Sequence, residues 1–183
     1  FRLGDVYLMY AEAVERGGSG GSDANAETYI NLLRERAYGD DSGNITSTAI
    51  TLDFLIDERA RELYYEEPRK TELTRIAFIL AMTGQQAYNG KTYNLANFHQ
   101  DNFWYDRVIE KNVFYRDQVR APFYNYRVAP WIVLWPIPAA AINANTLGHL
   151  NQNPGYPGAE SNIAPLEWVD GPGEGTLVPT TGG

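Results

Sequence analysis

The sequence predicts a mainly α-helical protein with a long loop-rich insertion and one short strand. Three observations carry this prediction. Apolar residues recur at helical spacing through residues 1–84, aromatic residues without a regular period crowd residues 85–130, and a β-branched and aromatic run lies between prolines at residues 131–135. With 183 residues, 44% of them hydrophobic, the chain suffices for one compact domain or a large piece of one.

Composition excludes several classes of function. The formal net charge is −8, whereas proteins that bind nucleic-acid phosphates carry basic surfaces. The chain has no cysteine, which removes disulfides and thiolate metal sites. Its two histidines, His99 and His149, have no partner at metal-ligand spacing. Its longest uncharged apolar run, residues 129–142, is shorter than the roughly 20 residues that a membrane-spanning helix needs. We predict no nucleic-acid partner, no metal and no cofactor.

The first two helices are predicted as an antiparallel pair. The first runs from about Leu3 to Arg16 and ends at the glycine-rich connector Gly17–Gly21. Asp23 is the expected N-cap of the second helix, which ends at Gly39, where a C-terminal glycine belongs. A connector this short brings consecutive helices side by side.

A third and a fourth helix complete the helical body. Thr51 is expected to cap the third, and Pro68 separates it from the fourth, which ends at Gly84. The third helix interleaves carboxylates with arginines, among them Glu62 and Arg59. Paired charges of this kind hold helices together, whereas a general acid needs an apolar pocket that raises its pKa. We therefore expect buried ion pairs here and predict no catalytic residue.

The insertion at residues 85–130 is the expected ligand surface. Eleven of the 39 residues from Tyr88 to Tyr126 are aromatic, and the apolar face of a sugar ring stacks on such side chains. Trp104 is the first candidate, because it lies between polar residues in a segment without core periodicity. Tyr88 and Tyr93 are the second candidates, in a stretch rich in Asn and Gly. Packing of these rings onto the helical body is the alternative for each.

Residues 131–156 are predicted to close the domain. Trp131–Trp135 is predicted as a short strand whose two tryptophans lie in the core, and Ala139–Ile142 as one or two helical turns. Residues 157–183 form a C-terminal extension rich in Pro and Gly, which we expect to be partly flexible.

Five segments carry a resemblance to a known family. Residues 1–13 match a Phe-Arg-x-x-Asp-x-x-Leu-x-x-Ala-Glu-Ala helix, residues 29–37 the helix after it, and residues 57–66 a Glu-Arg-x-x-Glu-Leu-x-x-Glu signature. Residues 134–138 and 151–156 match two closing motifs. In this order and spacing, the segments resemble the SusD/RagB family, the surface glycan-binding lipoproteins of Bacteroidetes.

The resemblance covers residues 1–156 and implies a SusD-like helical fold that packs on tetratricopeptide-like helices preceding this chain. It implies a non-catalytic protein that captures oligosaccharides, or peptides in some members, together with a SusC-like TonB-dependent transporter. It further implies a surface-exposed position at the cell outer membrane, with a lipid anchor on an N-terminal cysteine absent from this chain. In relatives, much of the ligand surface comes from the preceding part.

Two other classes of function stay open on the residues alone. The first helix pair is equally typical of a helical-repeat scaffold that binds proteins and no small ligand. The carboxylates of the third helix are compatible with an α-helical glycoside hydrolase, which needs two of them. Sugar binding without turnover distinguishes the uptake protein from both.

Overall fold

A computed structural model describes residues 2–111, 128–146, 148–163, 166–169 and 176–179. The chain divides into two compact units, one of residues 1–75 and 86–92 and the other of residues 76–85 and 93–183. Helices dominate the described residues, so the prediction of a mainly α fold is confirmed. The assignment of residues 1–156 to one region and of residues 157–183 to an extension stays a prediction.

The described ranges contain six α-helices and one pair of strands. The helices are α1 (Leu3–Glu15), α2 (Asp23–Tyr38), α3 (Leu52–Glu62), α4 (Arg69–Thr83), α5 (Phe103–Lys111) and α6 (Ala139–Ala144). Short 3₁₀ turns occupy Asp41–Gly43, Ser47–Ala49, Pro130–Val133 and Ala159–Ser161. The strands β1 (Leu166–Val169) and β2 (Thr176–Pro179) pair antiparallel, with Leu166 opposite Pro179. All helices except α5 match predicted ones, and the strand pair was not predicted.

Helices α1 and α2 form the predicted antiparallel pair in the first unit. The rings of Tyr7 and Tyr29 stack with their centroids 4.8 Å apart, and Tyr10 meets Tyr29 edge-on at 5.0 Å. The Tyr10 hydroxyl accepts a hydrogen bond from the backbone N–H of Ser22 at 3.1 Å. This bond holds the end of the connector against α1, and the ring contacts fix the register of the two helices.

The core of the first unit lies between α1, α2 and α3. It is built from the apolar stripes that the helical spacing predicts, together with residues of the loop before α3. Full burial of a Leu or Ile side chain contributes roughly 1.5–3 kcal/mol, so this cluster is the main apolar support of the unit. Its buried members are Leu8, Ala11, Ala26, Ile30, Leu33, Ile50, Leu55 and Leu63.

Both ends of α2 carry residues that satisfy its backbone. Ser22 is the N-cap, because its Oγ accepts a hydrogen bond from Asn25 N at 3.2 Å. The predicted cap, Asp23, is instead the first helical residue, where a negative charge interacts favourably with the helix dipole. Gly39 ends the helix as predicted, with a φ of 85°, a left-handed conformation that glycine adopts without a steric penalty.

Replacing Gly39 with alanine should lower the free energy of unfolding by about 1 kcal/mol, because a Cβ disfavours the left-handed region. No heavy atom lies within 4 Å of the added Cβ position, so the cost is conformational. Thermal unfolding of the full-length protein measures it. Gly39→Asn should cost less, since Asn tolerates this conformation. Equal stability of Gly39→Ala and the wild type would contradict the assigned role.

Helices α3 and α4 are joined by a turn at residues 63–68. Thr51 caps α3 as predicted, since its Oγ1 accepts a hydrogen bond from Phe54 N at 3.2 Å. Pro68 ends the turn and directly precedes α4, where a missing N–H costs no hydrogen bond. Within the turn, Tyr65 has a φ of 63°, which is uncommon for a residue other than glycine.

The second unit contains α5, a helix that the sequence did not predict. Its N-cap is Asn102, which is fully buried and whose Oδ1 accepts a hydrogen bond from Tyr105 N at 2.9 Å. The amide of Asn102 also donates to Phe98 O at 2.8 Å and to Pro130 O at 2.9 Å. Because a nine-residue helix is marginal in isolation, these tertiary bonds explain why it forms inside an aperiodic segment.

The predicted strand at Trp131–Trp135 is wrong. Residues Pro130–Val133 form a 3₁₀ turn, in which Leu134 N donates to Trp131 O at 3.2 Å. Pro130 at the first position has a fixed φ and no N–H, which suits a turn better than a paired strand. The expectation that both tryptophans are core residues is also wrong, since both are exposed and Trp135 shows 68% of its surface.

Gln152 connects the closing segments of the second unit. Its Oε1 accepts a hydrogen bond from Ile137 N at 2.7 Å, and its Nε2 donates to Ile137 O at 2.9 Å. Asn162 makes the same reciprocal pair with the backbone of Gln152, at 2.8 Å and 2.7 Å. The side-chain amides of Gln152 and Asn162 thus bond backbone N–H and C=O groups that a neighbouring strand would bond in a sheet. Part of the extension predicted to be flexible lies outside the described residues, and its flexibility stays a prediction.

Candidate functional site

The structure buries two of the three predicted ligand contacts. Trp104 lies in α5 and is 6% exposed, and Tyr93 is 3% exposed. The Tyr93 hydroxyl donates a hydrogen bond to Asp106 Oδ2 at 2.8 Å, and its ring meets Phe103 edge-on. The expected exposure of these two rings is therefore wrong, because α5 gives the segment a core-facing side. Their role in ligand binding stays a prediction.

Tyr88, the third predicted contact, keeps 40% of its surface exposed. It belongs to the first unit, whereas Tyr93 and Trp104 belong to the second. The aromatic residues of the insertion between positions 112 and 127 lie outside the described residues. Of the named candidates, Tyr88 alone therefore presents a ring that a ligand can reach.

An exposed aromatic pair lies outside the insertion, where sequence reasoning did not place a site. Tyr64 and Tyr65 lie in the turn after α3, with ring centroids 4.4 Å apart and an interplanar angle of 64°. A cavity of about 450 Å³ adjoins them, and Leu63, Glu67 and Arg69 are among its lining residues. One signal was available in the sequence: the apolar stripe of α3 ends at Leu63, and neither tyrosine continues it.

A group of ion pairs around Arg59, here called the Arg59 cluster, joins α1, α3 and α4 in the first unit. The Nη2 atom of Arg59 lies 2.9 Å from Asp5 Oδ1 and 2.9 Å from Glu67 Oε1. Its Nε atom lies 3.2 Å from Glu72 Oε1. The side chain is only 6% exposed. The predicted burial and ion pairing of Arg59 are confirmed, but its partners lie on α1, on α4 and in the turn after α3, and not among the carboxylates of α3 itself.

Glu12 extends the cluster along α1. Arg75 Nη2 lies 2.7 Å from Glu12 Oε2, and Arg16 Nε lies 2.8 Å from Glu12 Oε1. Burial raises the pKa of Glu12, but the hydrogen bonds from Arg75 and Arg16 outweigh it and hold the pKa below its ordinary value of 4.5. A carboxylate held in this way is ionised at neutral pH, so it does not serve as a general acid.

Glu12→Gln should destabilise the protein at neutral pH, and the loss should shrink as the pH falls below 4.5. Because the pKa of Glu12 is lower in the folded state than in the unfolded state, ionised Glu12 stabilises the fold at pH values above its unfolded-state pKa. This contribution disappears as the pH falls through the folded-state pKa. Melting temperatures of the full-length protein at a series of pH values measure it. Wild-type and Glu12→Gln curves that run parallel into acid would contradict this assignment.

Glu15 on the same helix provides a control of opposite sign. Burial, and then the charge of Asp23, raise the pKa of Glu15. Because a raised folded-state pKa means that ionisation opposes folding, Glu15→Gln should gain stability at neutral pH. That gain should vanish in acid, where the carboxyl group is protonated in both states.

The carboxylates of α3 that a hydrolase would use are also paired with arginines. Glu58 Oε2 lies 3.1 Å from Arg34 Nη1 and also contacts Arg61. Glu62 Oε2 lies 2.6 Å from Arg36 Nη2. These contacts give the two carboxylates the charge-pairing role that the sequence predicts.

The described ranges of the chain can be assessed for metal sites and for membrane-spanning helices. Within these ranges, no group of three or more His, Asp and Glu side chains is placed to hold a metal ion. None of the helices there combines the length and apolar character that a bilayer span requires.

Comparison with known proteins gives two matches. A family model described as the SusD family matches residues 1–156. The starch-binding protein SusD of Bacteroides thetaiotaomicron is 30% identical over 158 residues, which make up 85% of this chain and 21% of that protein. The chain therefore spans about a fifth of the length of this curated relative.

Proposed function

Because this chain belongs to the SusD family, we propose that it is part of a non-catalytic protein that binds starch or a related glycan. The family match over residues 1–156 carries the proposal. The 30% identity to a starch-binding protein supports it. The pairing of the α3 carboxylates with arginines favours a binding role over the hydrolase alternative, since a hydrolase needs one carboxyl group as an acid.

The proposed partner is a SusC-like TonB-dependent transporter, to which the protein delivers a bound oligosaccharide or peptide. The proposed location is the outer face of the outer membrane, with a lipid anchor on an N-terminal cysteine outside this chain. Membership of the SusD family supports both. Co-purification of the full-length protein with a transporter from outer-membrane extracts tests the partnership.

Among the predicted ligand contacts, we propose Tyr88 first, because its ring is exposed. Trp104 and Tyr93 are weaker proposals, since a buried ring offers no face for stacking until the surrounding chain moves. In a titration of the full-length protein, Tyr88→Ala should weaken glycan binding. Tyr38→Ala, which removes an exposed tyrosine of α2 outside the insertion, is the control and should bind as the wild type does.

The decisive experiment separates binding from turnover. We expect isothermal titration of the full-length protein with starch oligosaccharides to show saturable binding, and chromatography of the incubated sugars to show no product. Release of shortened sugars would favour the glycoside hydrolase. Failure to bind any sugar or peptide, together with stable capture of a protein partner, would favour the helical-repeat scaffold.

A further inference from the structure

We propose that Tyr64 and Tyr65 form a stacking platform for one neutral sugar ring, whose substituents enter the adjoining cavity. This inference rests on the proposed glycan-binding function. It adds a contact site in the turn between α3 and α4, outside the insertion at residues 85–130. The backbone at Tyr65, the arrangement of the two rings and the lining of the cavity support it.

Packing against the described residues does not account for the tyrosine at position 65. Among the described residues, Tyr65 is the one non-glycine position with a positive φ, 63°, and a bulky side chain is disfavoured there. The turn holds it in place, because the N–H groups of Glu66 and Glu67 both donate to Leu63 O, at 3.0 Å and 3.2 Å. The Tyr65 side chain is nevertheless 92% exposed. A position suited to glycine thus carries a large ring that gains almost no burial against the described residues, which points to a role in binding.

The two rings together form an angled apolar surface. Their planes meet at 64° with centroids 4.4 Å apart, so that one ring offers a face and the other an edge beside it. A pyranose ring has an apolar C–H face that stacks on an aromatic face, and the phenolic hydroxyls remain available for its hydroxyl groups. Adjacent exposed aromatics of this kind mark binding surfaces more often than isolated ones do.

The adjoining cavity has the size and lining of a small-molecule site. Its volume of about 450 Å³ falls in the range of roughly 300–1,000 Å³ that such sites occupy. Leu63 contributes apolar surface, and Arg59, Glu67 and Arg69 contribute polar groups. The buried Nη1 of Arg59 has no hydrogen-bond acceptor within the described part of the chain. Because buried donors are normally paired, a hydroxyl oxygen of a ligand would complete its bonding.

The charges around Arg59 select a neutral ligand. Asp5, Glu67 and Glu72 already surround its guanidinium, so its positive charge is compensated within the protein. Arg69, the other cation of the lining, also has a partner within the chain. A phosphate, sulfate or carboxylate on the sugar would add a negative charge beside these carboxylates. A hydroxyl group accepts a hydrogen bond without that repulsion, and this favours a neutral hexose unit over an acidic one.

The test is Tyr65→Gly in the full-length protein, titrated with the neutral oligosaccharide that binds the wild type most tightly in a panel including maltoheptaose. Glycine adopts the left-handed backbone freely, so the melting temperature should be unchanged or higher. Loss of the ring should weaken binding about tenfold. Tyr65→Asn, which also tolerates this backbone, should behave similarly, and Tyr65→Trp should retain binding. Tyr38→Ala is the control for removal of an exposed tyrosine.

Three results would overturn the proposal, and only the third of them would also overturn the proposed glycan-binding function. If the wild type binds a glycan and Tyr65→Gly binds it equally well, the platform is wrong and the proposed function stands. If Tyr65→Gly loses both affinity and several degrees of melting temperature, the ring is packed in the whole protein and does not serve a ligand. If the wild type binds no glycan in the panel, the proposed function fails together with the platform.

Discussion

Replacing Arg59 with alanine should lower the free energy of unfolding by about 3–5 kcal/mol, because removing one partner of a buried ion pair leaves the other charge uncompensated. Arg59 has three carboxylate neighbours, Asp5, Glu67 and Glu72, and Glu72 is itself buried. Burial lowers the pKa of Arg59, but the hydrogen bond to Glu67 and the charges of Glu72 and Glu67 raise it overall, so the guanidinium stays charged. The variant therefore leaves several negative charges facing one another.

Arg61 offers a matched control two residues along the same helix. Its side chain is 56% exposed and pairs with the buried Glu58. Because Glu58 keeps a second partner, Arg34, at 3.1 Å, loss of the exposed Arg61 should cost only about 0–1 kcal/mol. Urea or thermal unfolding of full-length Arg59→Ala and Arg61→Ala measures the contrast. Similar losses in the two variants would show that the burial of the Arg59 cluster has little energetic consequence.

Asn102→Ala should cost at least about 3 kcal/mol. Loss of an N-cap side chain accounts for about 1 kcal/mol, and each buried carbonyl left unpaired adds roughly 1–3 kcal/mol. The side chain serves all three functions at once: it caps α5 through Tyr105 N and pairs the carbonyls of Phe98 and Pro130. Asn102→Asp should recover only the cap, since a carboxylate does not donate to the two carbonyls.

Asn94→Ala provides the same substitution at an exposed site. The Asn94 side chain accepts one hydrogen bond, from Asn97 N at 3.2 Å, and makes this contact at the surface. We expect it to lower the melting temperature of the full-length protein by much less than Asn102→Ala does. A smaller loss for Asn102→Ala than for Asn94→Ala would refute the organising role assigned to Asn102.

Local signals were enough to predict most of the helices. Thr51, Gly39 and Pro68 mark helix ends through caps, a left-handed residue and a missing N–H, all of which act within a few residues. Helix α5 depends instead on a hydrogen bond from Asn102 to Pro130, 28 residues away. Such a contact leaves no periodic pattern in the sequence, so local signals did not predict this helix.

The candidate site was harder to predict, because exposure depends on backbone geometry. The apolar neighbours of Trp135 suggested a buried strand, but the 3₁₀ turn before it repeats every three residues and distributes side chains over several directions. Trp104 has polar neighbours, and α5 turns it inward nonetheless. Tyr65 has a positive φ, which the presence of a tyrosine at that position does not predict.

The Arg59–Asp5 ion pair has a further consequence, for the kinetics of folding. It joins residues 54 positions apart, whereas the contacts of α1 with α2 close only a short connector, and short loops close at lower entropic cost. We therefore expect the α1–α2 hairpin to form early and the Arg59 cluster after the main barrier. Interactions that form late slow unfolding and leave the folding rate nearly unchanged. We thus expect the Arg59 cluster to set the unfolding rate and the α1–α2 hairpin to set the folding rate.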